Sequence, residues 1–245
     1  MERIHALPGG ANLFLCGTVA PARLKGIVLL CPGGGFEWLS PREGEIMAKY
    51  FIDAGWLAGV VHYSVFKGSP LGDAPIRQLG AAVGIMKGIF PDKPVVAAGF
   101  SAGGHVACGL GVHWKTLGLA RPDALVLGYP LVTAGKYGHA PTMAYIAGDG
   151  DTSFYSLEDF VTPDMPPAFI WHTVTDDAVS VQNSVMLASK MYEAGVSYEL
   201  HVFPEGAHGL SLAVPEVDDP EFGRYADAHV AHWFPLCLEW LDRVK

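Results

Sequence analysis

Six short apolar runs punctuate the chain, at Lys25–Cys31, Leu57–Tyr63, Pro94–Phe100, Ala124–Tyr129, Pro167–His172 and Ser197–Phe203. They are too short for buried helices and rich in Val, Leu and Ile, so each reads as a strand. The first five are almost continuously hydrophobic, as a strand must be when both faces of its sheet are covered. Between the runs the apolar positions change to helical spacing. Helices are predicted over Pro41–Ala54, Ala74–Ile89, Ala102–Leu117, Val181–Ala194 and Val230–Val244, with Gly195 stopping the fourth from the C′ position. Alternation of this kind builds a mostly parallel sheet with helices on both faces, an α/β fold. Asn12–Ala20 is expected to add one antiparallel edge strand. Thr133–Pro166, rich in Gly, Pro, Asp and Ser, fits no element and reads as an excursion over the carboxyl edge of the sheet. A plain connection and a lid or pocket wall are equally good accounts of it.

Composition narrows this picture. A chain of 245 residues, half of them hydrophobic, suits a single domain over 1–245 with a sizeable core. A formal charge of −9 with no basic cluster weighs against nucleic acid and against anionic membrane surfaces. No apolar stretch is long enough for a membrane span. The opening residues carry no apolar leader, so a cytoplasmic protein is expected if the start is as given. The four cysteines, Cys16, Cys31, Cys108 and Cys237, form no C-x-x-C pair, and Cys31 and Cys108 lie in apolar runs as small core residues.

The chemistry begins at Gly99-Phe100-Ser101-Ala102-Gly103-Gly104. It is a G-x-S-x-G sequence between a predicted strand and a predicted helix. A serine on so tight a turn is pushed above the sheet, and glycines are needed because side chains there would clash. Ser101 is therefore the candidate nucleophile. A serine hydroxyl needs a base, and the base an orienting acid. The acid candidate follows the strand Pro167–His172, where Asp176 and Asp177 are adjacent. Asp176 is preferred, with Val179 anchoring the loop, and Asp177 is the fallback. The base candidate is His208, between two glycines in the loop after Ser197–Phe203. His105, four residues past the serine, is the rival but would face back along its own helix. His172 is expected to order the acid loop. Donors for a developing oxyanion are sought in the Ala102 N–H and in the glycine loop Pro32-Gly33-Gly34-Gly35, with Gly34 first and Gly33 and Gly35 as further donors. That loop lacks the spacing of a phosphate cradle. Phe36, Trp38 and Tyr129 are candidate substrate-binding residues that would narrow the acyl site. Asp149-Gly150-Asp151 faintly suggests a calcium loop, but Phe160 stands where the glutamate ligand belongs. No metal and no cofactor is expected.

With these residues the chain resembles the α/β-hydrolase superfamily, and within it small bacterial esterases of the acetyl-xylan and feruloyl type. The resemblance rests on Cys31–Phe36, Leu39-Ser40-Pro41-Arg42-Glu43-Gly44-Glu45, Gly99–His105, Pro167–Val179 and Phe203–Leu212, spread over most of the chain. Two departures stand out. Those esterases usually carry Tyr where Phe36 stands, and often Pro at the place of Ser180. The resemblance implies hydrolysis of short acyl esters, with acetylated sugars as the substrate class and a small-molecule ester as the partner. A homodimer is compatible with it. Two alternatives remain open. One is a peptidase like the catalytic domain of prolyl oligopeptidase, against which weighs the lack of a visible gating propeller. The other is a non-catalytic binding protein on the same fold, against which weighs the retention of all three triad residues.

Overall fold

In the computed structural model, which describes residues 3–243, eight strands form one sheet. They are β1 (Ile4–Ala6), β2 (Asn12–Cys16), β3 (Gly26–Cys31), β4 (Trp56–His62), β5 (Val95–Phe100), β6 (Ala124–Gly128), β7 (Ala168–Thr173) and β8 (Tyr198–Phe203). Their order across the sheet is β1-β2-β4-β3-β5-β6-β7-β8. β1 and β2 run antiparallel to their neighbours, and every pair from β4 to β8 is parallel.

Side chains alternate across the sheet with the period of two that a strand imposes. Ile27, Leu29 and Cys31 of β3 enter one core, and Val28 and Leu30 enter the other. The first core is closed by α2 (Ala74–Ile89), α3 (Ala102–His113) and α5 (Gln182–Glu193), through residues such as Leu79, Val83, Val106 and Leu187. The second is closed by α1 (Glu45–Asp53) and α6 (Trp233–Leu241), through Phe51, Trp233 and Cys237. Every residue of β3, β5, β6 and β7 is buried, while β8, at the far edge, is mostly half-buried.

The structure departs from the expected elements in specific places. β1 is a three-residue pairing too short to leave a pattern, and it displaces β2 from the edge. β2 stops at Cys16 instead of running to Ala20. The helix expected over Pro41–Ala54 is two pieces, a tight turn at Pro41–Glu43 and then α1. The break falls at Gly44, whose φ of −99° and ψ of −108° are not helical. This kink leaves Glu43 pointing inward, 3% exposed. α3 ends at His113, and the last helix is a turn at Val230–His232 followed by α6. The end expected at Val244 lies outside the described residues. The irregular stretch from Thr133 to Pro166 carries α4 (Ala140–Ala147) and two short turns.

Candidate active site

Ser101 links β5 to α3 with φ 54° and ψ −120°, backbone angles that a non-glycine residue rarely adopts. The turn is tight enough to need its glycines. A Cβ on Gly99 would lie 2.1 Å from the Gly103 carbonyl oxygen, and one on Gly103 would lie 1.9 Å from that of Cys31. α3 can therefore press against the end of β3, which brings the glycine loop beside the serine. The Ser101 N–H donates to the Gly128 carbonyl at 3.1 Å, and the Ser101 carbonyl accepts from Leu131 at 3.2 Å. These bonds tie the strained turn to the end of β6.

Past the ends of β7 and β8, two loops bring Asp176 and His208 to the serine. His208 Nε2 lies 2.8 Å from Ser101 Oγ, and His208 Nδ1 lies 2.8 Å from Asp176 Oδ2. A carboxylate only accepts, so Nδ1 carries the proton and Nε2 offers its lone pair to the serine. Asp176 Oδ1 accepts from the N–H groups of Ala178 at 3.0 Å and Val179 at 2.7 Å. Its side chain is 1% exposed. Burial opposes the charge on Asp176, yet hydrogen bonds from His172 and His208 outweigh it and hold the carboxyl well below the ordinary range. Asp177 is exposed, and its carboxylate accepts the backbone N–H of His208 at 3.2 Å. The preferred carboxylate thus faces the imidazole, and its neighbour supports the same loop from outside.

His172, fully buried, orders the acid loop. Its Nε2–H donates to the Val179 carbonyl at 2.9 Å and lies 3.3 Å from Asp176 Oδ2, while Nδ1 pairs with Ser184 Oγ at 2.8 Å. His105 faces away from the reacting groups. It is enclosed with its ring edge-on to Phe36, and burial pushes it down to about 4.

The Ser101–His208–Asp176 chain opens on a cleft of about 410 Å³ whose lining includes Gly34, Gly35, Trp38, Ala102, Leu131 and Val179. His139 and Thr142, from the irregular stretch, form part of its wall. Ala102 is the first residue of α3, where an N–H has no acceptor within the helix. Gly34, with φ 125°, turns beside it. Gly33 is a correction: its N–H is taken by Glu43 Oε2 at 2.6 Å, so it is not free to meet an oxyanion. Phe36 and Tyr129 are corrections too. Each is 1% exposed and lies beneath the cleft instead of lining it. Phe36 packs edge-on against Tyr63 at 6.0 Å, and Tyr129 packs against the His208 ring at 5.2 Å. Of the three aromatics, Trp38 does line the cleft and is 46% exposed.

Sequence reasoning missed Arg224 and Phe222 at the rim. Arg224 Nε donates to the His208 carbonyl at 2.8 Å, its Nη1 reaches Asp219 Oδ2 at 3.2 Å, and its guanidinium sits 4.9 Å from the Phe222 ring. A lone arginine in an irregular loop leaves no pattern to find. Among the described residues no three His, Cys, Asp or Glu side chains converge as a metal site would require.

Comparison with known proteins agrees with this architecture. The family model described as the prolyl oligopeptidase family matches residues 79–240. A curated relative, endo-1,4-beta-xylanase B of Butyrivibrio fibrisolvens, is 34% identical over 209 residues. That alignment takes in 77% of this chain but only 33% of the relative. A solved carboxylesterase of Lactobacillus plantarum WCFS1 superposes with a TM-score of 0.86 at 25% identity, covering 99% of this chain and 98% of that one. An acetyl ester-xyloside bifunctional hydrolase of Caldicellulosiruptor lactoaceticus gives 0.80 at 27% identity, covering 97% and 89%. The fold is the α/β-hydrolase fold, and its solved relatives include carboxylesterases and an acetyl ester-xyloside hydrolase.

Proposed function

The chain belongs to the prolyl oligopeptidase family of α/β-hydrolases, and from that premise we propose that it is a serine carboxylesterase acting on short acyl esters of carbohydrates. The observation that carries the reading is the hydrogen-bonded chain from Ser101 through His208 to Asp176, open to a cleft beside Ala102 and Gly34. In this mechanism Ser101 Oγ attacks the ester carbonyl carbon while His208 Nε2 takes its proton. Asp176 holds the imidazole in the required tautomer and stabilises the imidazolium. The N–H groups of Ala102 and Gly34, with Gly35 beside them, receive the oxyanion. Collapse expels the alcohol, which leaves with the proton from His208. Water then attacks the acyl-serine with His208 again as base, releasing the carboxylic acid and restoring Ser101.

Two features support a short acyl group on a sugar. Leu131, Ala178 and Val179 give the cleft an apolar wall beside the triad. Glu37, Trp38, His139, Thr142, Phe222 and Arg224 supply polar groups and exposed aromatic faces further out, a mixture suited to a hydroxyl-rich ring. The hydrolase from C. lactoaceticus is described as acting on acetyl esters and xylosides, which favours the same class here.

The test is burst release of p-nitrophenol from p-nitrophenyl acetate by the wild type and by Ser101→Ala. A burst and turnover in the wild type, both lost in a folded variant, support the reading. Undiminished turnover in the variant overturns it. A prolyl peptide amide assayed alongside separates esterase from peptidase, since preference for the amide would favour the activity after which the family is named.

A further inference from the structure

Glu43 is a buried carboxylate that the triad does not use. Both of its oxygens are engaged. Oε2 accepts the N–H of Gly33 at 2.6 Å, and Oε1 accepts the hydroxyl of Tyr129 at 2.5 Å. The Tyr129 hydroxyl in turn accepts the N–H of Ser211 at 3.0 Å. A continuous path therefore runs from the glycine loop, through Glu43 and Tyr129, to the loop that carries His208. The two residues flanking this path bind the same loops. Arg42 donates from Nη1 to the Gly209 carbonyl at 2.7 Å, and its own carbonyl accepts from Ser211 Oγ at 2.7 Å. The Ser40 N–H donates to the Gly33 carbonyl at 3.0 Å.

The backbone shows what this path restrains. Among the described residues, five that are not glycine have φ between 35° and 67°, namely Phe36, Ser101, Tyr129, Ser211 and Ala213. Apart from the Ser101 turn, all lie in the segments that the path joins. Such conformations are unfavourable for residues with a side chain and persist only where the surroundings impose them. Burial, then the adjacent Glu43 carboxylate, hold the Tyr129 phenol well above its ordinary value, so it remains a donor to Glu43 at any working pH.

We propose that Glu43 is a positioning residue which, through Tyr129, holds the oxyanion-binding glycine loop in register with His208. This rests on the esterase reading above, in which both loops serve one reaction. Glu43 touches neither substrate nor the reacting atoms. It acts by setting the distance between groups that must meet the substrate carbonyl and the serine together. A carboxylate is suited to the place because two donors converge on it. An amide would turn a donor of its own toward one of them.

The experiment compares wild type, Glu43→Gln, Tyr129→Phe, the double variant and Ser101→Ala. It reads kcat and KM on p-nitrophenyl acetate, affinity for phenylboronic acid, which mimics the tetrahedral intermediate on Ser101, and thermal melting. Each single variant is expected to lose about ten- to a hundredfold in kcat, the range a small misplacement produces. KM should stay within about twofold, and boronate affinity should fall with kcat. The double variant should be no worse than the more impaired single, because both cut one path. If Glu43→Gln does not fold, Tyr129→Phe decides alone, since it leaves Glu43 bonded to Gly33 and cuts only the link to the histidine loop. A folded Tyr129→Phe with wild-type kcat overturns the proposal, as does a rise in KM at constant kcat or a double variant whose losses multiply. Full turnover by Ser101→Ala would instead overturn the esterase reading itself.

Discussion

His172 and Asp176 approach to 3.3 Å, on the same carboxylate oxygen that serves His208. The carboxylate is thus gripped from the floor by one imidazole while it orients another. Removing its charge affects both. Asp176→Asn is expected to lower kcat on p-nitrophenyl acetate by about four orders of magnitude, because the amide favours the wrong imidazole tautomer. Asp177→Asn, which alters only an exposed bond to the His208 backbone, should cost a few-fold at most. Steady-state kinetics on the pair decides it, and a reversal of the two effects would move the acid by one residue.

Acid sensitivity should be traceable to His105. Burial lowers its folded-state value to about 4, whereas an unfolded histidine titrates near about 6.5. Above the unfolded value the ring is neutral in both states and there is no effect. As pH falls from there toward 4, the unfolded chain binds a proton that the native state refuses, so stability is lost across that window. At pH 5 the loss is about 2 kcal/mol. In His105→Leu the fall in denaturation midpoint between pH 7 and pH 5 should shrink accordingly. An unchanged slope would show that the ring is not the group responsible.

Asp176 acts in the same direction at lower pH. Its depressed carboxyl contributes stability that is fully present above the unfolded value of about 4 and is lost as pH falls through the lower folded value. Below pH 4 the acid-unfolding curve of Asp176→Asn should therefore be flatter than that of the wild type. Circular dichroism followed through acid titration measures it.

Acyl preference should favour acetate and propionate over octanoate. Leu131 and Val179 line the cleft beside Ser101, and Phe36 and Tyr129 fill the space beneath it. A panel of p-nitrophenyl esters reads the preference directly. Faster turnover of octanoate than of acetate would require a channel that this lining does not provide.

Arg224 grips the His208 carbonyl with Nε and the Asp219 carboxylate with Nη1. Arg224→Ala should lower kcat about tenfold by loosening the histidine loop. Arg224→Lys should recover little of it, because one ammonium cannot reproduce a planar fork aimed at two acceptors. Recovery by lysine would mean that charge at the rim, not geometry, is what matters.

β2 to β8 and the meeting of Ser101, His208 and Asp176 were legible because each leaves a local trace. Nearly unbroken apolar runs mark β3 and β5 to β7, and a serine among glycines between a strand and a helix marks the turn at Ser101. Asp176 and His208 were found because each follows a strand end. What escaped depends on contacts distant in sequence. Phe36 and Tyr129 looked like pocket residues because they adjoin functional segments, but they take their direction from unusual backbone angles, which put both rings into the floor. Gly33 looked equivalent to Gly35 as a further donor until Glu43, ten residues away and turned inward by the break at Gly44, claimed its N–H. Arg224 meets His208 by tertiary contact alone.

His208 hangs from an edge strand of the sheet. β8 has a single neighbour, β7, and most of its residues are half-buried, whereas the elbow serine grows from β5 in the fully buried centre. Edge segments open at lower free energy than the core that supports them. Mild heat or denaturant should therefore withdraw His208 while Ser101 remains in place. Activity would then fade before the sheet melts, leaving a folded protein with a nucleophile and no base.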